Sequence, residues 1–120
     1  MYEFVKFKEA GRRASRVPRV TITRAGIFNL NRAFVEGFGH LGKYVEYHWD
    51  KEGGVVGLLF SNEAKPGAYK VRVSREGTLG TVTAIAFLRS IGLKPDKGRS
   101  YPAQLNDVSN MVVFRVRKKA

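Results

Sequence analysis

The chain is expected to adopt an α+β fold, with two antiparallel sheets and two short helices built as a pseudo-two-fold internal repeat of a strand-rich unit carrying one helix. Three observations lead to this expectation. Period-2 alternation recurs along most of the 120 residues, which is the mark of half-buried strands. Only two segments have helical spacing. Two stretches also carry matching residues in one order: Arg24, Gly26, Ala33-Phe34-Val35, Phe38-Gly39, Tyr44, Asp50 and Val55-Val56, then Arg75, Gly77, Ala86-Phe87-Leu88, Ile91-Gly92, Tyr101, Asp107 and Val112-Val113. The offset is 51 at the Arg-x-Gly step (75 minus 24), 53 in the helix (87 minus 34) and 57 in the last hairpin (101 minus 44), so it grows between elements, where insertions are tolerated. Two copies suit a symmetric domain, since a solenoid needs about three or more. The length fits a single domain over 1–120, with repeat units at about 20–60 and 69–116 and a basic connector at 11–19.

Taken in order, residues 2–8 alternate weakly and suggest a short strand. The connector carries Arg12, Arg13, Arg16 and Arg19 with Gly11 and Pro18, and the proline drives Val17 towards extended backbone. Val20 and Ile22 alternate with Thr21 and Thr23, and Gly26 allows a turn into Ile27, Phe28 and Leu30. Asn31 stands where a helix N-cap belongs, and Gly37 and Gly39 end the helix. Residues 44–49 place Val45, Tyr47 and Trp49 on one face, and the polar turn at 50–54 leads into a partner strand at 55–60.

Pro66-Gly67 then breaks the chain before residues 68–73, whose alternation is expected to bury Tyr69, Val71 and Val73 and to expose Lys70 and Arg72. Gly77 turns into 78–82. Thr83 is the expected cap of a helix over 84–91, apolar at 84, 85, 87, 88 and 91 and closed by Gly92. The last hairpin joins 101–105 to 111–116 around Asn106-Asp107. Phe34, Phe60, Tyr69, Phe87 and Phe114 are the expected packing aromatics.

A net charge of +12, from 22 Lys and Arg against 10 Asp and Glu, gives the surface a strong positive field, for which nucleic acid is the default partner. No apolar run reaches the about 18 residues of a membrane span, and the amino end has no charged region ahead of an apolar one, so a cytoplasmic protein without a membrane partner is expected. There are no cysteines, hence no disulfides or thiolate metal sites. The two histidines, His40 and His48, lack metal-like spacing, the serines lack a nucleophile elbow, and Gly53-Gly54 has no following Gly-Lys-Ser/Thr. The chain is read as no enzyme, with no cofactor and no metal.

Binding chemistry is richer. Lys70, Arg72 and Arg75 lie on or just beyond the exposed side of one strand, where alternate residues repeat about every 6.8 Å. Arg19, Thr21, Thr23 and Arg24 form a second row of cations and hydroxyls suited to phosphates. Tyr44 and Tyr101 stand at matching repeat positions and could stack on unpaired bases. The expected nucleic-acid site therefore comprises Arg12, Arg13, Arg16, Arg19, Arg24, Lys70, Arg72, Arg75, Tyr44 and Tyr101.

Residues 20–35 followed by Tyr44-Val45-Glu46-Tyr47 resemble the swapped-hairpin DNA-binding unit of AbrB-type and MraZ-type regulators. That resemblance implies an oligomeric duplex-DNA-binding regulator. At the level of architecture, two strand-rich units with one helix each in a small basic protein resemble the Whirly and transcriptional-coactivator families of single-stranded-DNA-binding domains, which implies a β-platform for single strands. The function expected is nucleic-acid binding, with single-stranded DNA (or RNA) preferred and a role in transcription or DNA maintenance. Duplex regulation and docking of a basic assembly protein on an acidic partner are the alternatives, and self-association is left open.

Overall fold

The computed structural model describes residues 16–95, 97–106 and 111–116. The strand expected at 2–8, Arg12, Arg13 and Asp107 lie outside them. Strands β1 (Arg19–Ile22) and β2 (Ile27–Leu30) lead to helix α1 (Arg32–Phe38) and a 3-10 turn (Gly39–Leu41), then to β3 (Tyr44–Asp50) and β4 (Val55–Ser61). The second half runs β5 (Tyr69–Lys70), β6 (Arg72–Val73), β7 (Gly80–Thr83), α2 (Ile85–Ser90), β8 (Arg99–Pro102), β9 (Gln104–Asn106) and β10 (Met111–Arg115).

These form two antiparallel five-stranded sheets, ordered β6-β7-β2-β1-β8 and β5-β3-β4-β10-β9, here the first and second sheets. Single residues separate β5 from β6 and β8 from β9, so two chain segments each start in one sheet and finish in the other. At the crossings the Val71 N–H donates to the Lys43 carbonyl (2.8 Å) and the Ala103 N–H to the Pro18 carbonyl (2.8 Å), so both backbones stay satisfied where the ladders change partner. The two crossings link the sheets into a closed circuit. Because the strand at 69–73 is pulled from one sheet to the other, Val73 ends on an outermost strand and is 52% exposed, where alternation alone would bury it.

Helix α1 starts as expected. The Asn31 Oδ1 accepts from the Phe34 N–H (3.0 Å) and from the Arg19 N–H (2.9 Å), while its Nδ2 donates to the Val17 carbonyl (3.0 Å). One side chain thus caps the helix and ties it to β1, and losing such a cap costs about 1 kcal/mol. Helix α2 departs from expectation at its start. Its N-cap is Ala84, which has no capping side chain, and Thr83 instead ends β7, pairing with Ile27. The Thr83 carbonyl is claimed by the Tyr47 hydroxyl, which donates to it at 2.5 Å. The other end closes on Gly92 (φ 75): Leu93 N–H donates to the Leu88 carbonyl (3.0 Å) and Gly92 N–H to the Arg89 carbonyl (3.1 Å), the paired bonds of a left-handed glycine stop.

The internal repeat is present, with its helix and strand equivalences shifted by one residue. Burial pairs Val20 with Tyr69 (69 minus 20, 49), Phe28 with Val82 and Phe34 with Leu88 (88 minus 34, 54), and Val45 with Tyr101 and Val56 with Val112 (112 minus 56, 56). Strand register agrees. Val20 faces Tyr101 while Tyr69 faces Val45, and across the central ladders Phe28 faces its own counterpart Val82 and Gly57 faces Val113. The pseudo-two-fold axis passes through those two pairs. The letter matches of Phe34 with Phe87, Tyr44 with Tyr101 and Val55-Val56 with Val112-Val113 are therefore each one residue out of register. In a strand such a slip exchanges the buried and exposed faces.

The Arg-x-Gly turns keep their offset of 51. Gly26 N–H donates to the Thr23 carbonyl (3.0 Å) and Gly77 N–H to the Ser74 carbonyl (2.8 Å), with the Thr23 and Ser74 hydroxyls accepting from the Ile27 and Thr78 N–H groups.

The core lies between the sheets. Phe28, Phe34, Phe114, Leu58 and Leu88 are its largest fully buried side chains, and the other expected packing aromatics, Phe60, Tyr69 and Phe87, rest against it. Phe28 meets Tyr47 (5.5 Å) and Phe114 (5.6 Å) edge-on, and Tyr47 stacks on Phe87 (4.9 Å), so one aromatic cluster joins both sheets to α2.

Candidate nucleic-acid interface

Cross-strand partners share a sheet face, so the pairings divide the first sheet cleanly. Val73, Gly80, Leu30, Val20 and Tyr101 form one row, and its buried centre marks the inner face. The adjacent row, Arg72, Thr81, Asn29, Thr21 and Ser100, points outward across all five strands. At about 4.8 Å per strand it spans roughly 19 Å. Thr83 and Ile27 continue the face on one side, Arg19 and Pro102 on the other. The five strands contain three arginines (Arg19, Arg72, Arg99) and no Asp or Glu.

The face is thus a carpet of hydroxyl and amide groups between guanidinium groups. Arg19 is fixed there: its Nε donates to the Ser100 hydroxyl (2.8 Å) and its Nη2 to the Ser100 carbonyl (3.2 Å). At the opposite edge Lys70 and Arg72 line a shallow hollow with Ile27, Thr81 and Thr83. Tyr44 faces Lys70 across the β3–β5 ladder and is half-buried.

The expected site residues do not all converge. Lys70, Arg72 and Tyr44 gather at one edge of this face, with Arg19 across it. Arg24 and Arg75 occupy equivalent turns at opposite ends of the sheet, since β2 and β7 are antiparallel. Arg16 is exposed ahead of β1. Tyr101 faces inward, its ring 6.0 Å from Phe114, so only its margin reaches solvent, in a hollow beside β8.

Sequence reasoning passed over two sets of residues. Asn29, Thr81, Thr83 and Ser100 became part of a face only when non-adjacent strands paired. Arg89, Lys94, Lys97 and Arg99 surround the α2–β8 connector, and a hint lay in the run 84–106, whose single acid is Asp96.

Among the described residues no cluster of His, Asp or Glu could hold a metal ion, and no helix is long and apolar enough to cross a membrane. Tyr47 is the buried titratable group of note. Burial, with a smaller contribution from Tyr69, raises its pKa far above the ordinary tyrosine value, so the phenol stays a hydrogen-bond donor to Thr83. Comparison with known protein families, with curated proteins and with solved structures finds no match for this chain.

Proposed function

We propose that this chain is a non-enzymatic nucleic-acid-binding protein, favouring single strands, with the outer face of the first sheet as its platform. The observation that carries the reading is the acid-free row from Arg72 to Ser100, flanked by Arg19 and Lys70. Arg, Ser, Thr and Asn side chains are the groups that contact phosphate and sugar oxygens, and here they repeat across the strands with no carboxylate to repel a polyanion. A backbone laid across the strands meets a donor at each step. Tyr44, next to Lys70, adds a ring at the margin of the platform.

Equilibrium binding of single-stranded DNA, duplex DNA and RNA at two salt concentrations tests this reading. Affinity should fall steeply with salt. Replacing Lys70 and Arg72 together by alanine should weaken binding to all sequences and flatten the salt dependence by about one to two units of slope, since each phosphate neutralised accounts for roughly 0.7 to 0.9. Curves that overlay those of the parent protein at both salt concentrations would move the site elsewhere.

A further inference from the structure

The β1–β2 turn, the end of α2 and the connector into β8 enclose two hollows that share one wall, residues 93–95. The larger, about 260 Å³, has an apolar floor of Ile85, Leu88, Leu93 and Pro95. Its rim carries Arg24, Arg89 and Lys94. The smaller, about 150 Å³, is floored by Ile22, Leu93, Tyr101 and Val116 and rimmed by Lys94, Lys97 and Arg99. No described residue lining either hollow is acidic, and Asp96 lies outside the described residues.

Apolar floors beneath cationic rims fit a ligand with a flat apolar part and an anionic part. Both volumes fall short of the about 300 Å³ at which pockets for drug-sized ligands begin, so each suits a single ring system. The hollow is also held in shape. Gly26 takes a positive φ of 84°, and a Cβ there would stand 2.9 Å from the Ile85 Cβ, while the Gly26 carbonyl accepts from the Ala84 N–H (2.9 Å), pressing the turn against the helix start. The Gly92 stop places Leu93 beside Leu88.

We infer that these twin hollows take two successive unpaired nucleobases of a single strand, with Arg24, Arg89 and Lys94 on the phosphates beside the larger hollow. The inference rests on the proposed binding of nucleic acid and supplies what the sheet face lacks. Hydroxyls and guanidinium groups on phosphates read any backbone, whereas a pocket that admits a bare base rejects a duplex, whose bases are stacked and paired. Tyr101, though turned inward, offers its ring margin to the second base.

The test uses the full chain with three probes: a thymidine oligomer, an abasic oligomer of the same length and thymidine monophosphate. The parent protein should bind the thymidine oligomer about tenfold more tightly than the abasic one, within the range one stacked base supplies. Ile85→Ser, at a position 43% exposed, should erase that preference and leave abasic binding unchanged. Should that variant melt early, Ile85→Ala, a milder cut into the apolar floor, should reduce thymidine-oligomer binding more than abasic binding. Equal binding of the two oligomers by the parent, or a preference that survives these variants, overturns the hollows and leaves the sheet platform standing. Saturation by micromolar thymidine monophosphate with no oligomer preference assigns the hollow to a free nucleotide and overturns the strand assignment. Binding to neither oligomer overturns the platform and the hollows together.

Discussion

The two sheets share one pseudo-symmetric frame, yet their outer faces are chemically opposite. On the first, the row from Arg72 through Thr81, Asn29 and Thr21 to Ser100 is polar, cationic at one end and free of acid. On the second, the corresponding rows run His48, Gly57, Val113, Gln104 and Asp50, Val55, Arg115. Glu46 on that face pairs with Lys65 and approaches His48, each at 3.7 Å. Among the described residues, one face therefore carries arginines on strands that hold no carboxylate, while the other sets acids beside bases around an apolar middle. Backbone topology does not distinguish them. The contrast comes from the residues at alternate, outward-pointing positions, which the core leaves free to vary.

The largest expected effect comes from the core that both faces share. Phe28 belongs to the first sheet but rests on Tyr47 and Phe114 of the second, so Phe28→Ala should cost about 3 to 5 kcal/mol and dissolve the contrast altogether. Urea unfolding measures this, and an unchanged midpoint would mean that the sheets do not depend on that packing.

Leu88→Ala should cost about 2 to 5 kcal/mol, since Leu88 is the buried counterpart of Phe34. A cost well under 1 kcal/mol by the same measurement would return that role to Phe87.

The contrast between the faces is sharpened by placing an acid on each. Thr81→Asp puts a carboxylate in the middle of the acid-free row and should weaken nucleic-acid binding about fivefold, the equivalent of roughly 1 kcal/mol for one charge near another in water. Gln104→Asp, exposed on the second sheet, should leave binding as it was. Equal losses from both would indicate a general field with no platform.

The smallest effect concerns the tie between the sheets. Tyr47→Phe removes the hydrogen bond from β3 to the Thr83 carbonyl on β7 and should cost about 0.5 to 1.5 kcal/mol. It should also alter the alkaline limb of stability. Because folding raises the Tyr47 pKa, the unfolded chain gives up its proton first; the contribution of the neutral phenol is complete below the unfolded value near 10 and declines as pH rises above it. Thermal melts from about pH 8 to 11 should show a shallower loss for the phenylalanine variant than for the parent.

Period-2 alternation, glycine turns and the Asn31 cap are local, backbone-level signals, and they suffice to specify the α+β class, both hairpin-rich units, the first helix start and the close of the second helix at Gly92. The matched Arg-x-Gly steps belong with these signals, and in the structure both turns use the same hydrogen bonds. Tertiary structure alone decided the phase of that repeat. Matching letters set Phe34 beside Phe87, but burial between two sheets selects Leu88, and a one-residue shift reverses what faces inward. The same inward turn leaves only the ring margin of Tyr101 at the surface, while the crossing between sheets exposes Val73 on an outermost strand. Pairing of β2 with β7 and of β1 with β8 brings together residues far apart in the chain, Arg19 facing Pro102 (102 minus 19, 83 positions), so a face that depends on those ladders is not written in any one segment of the chain.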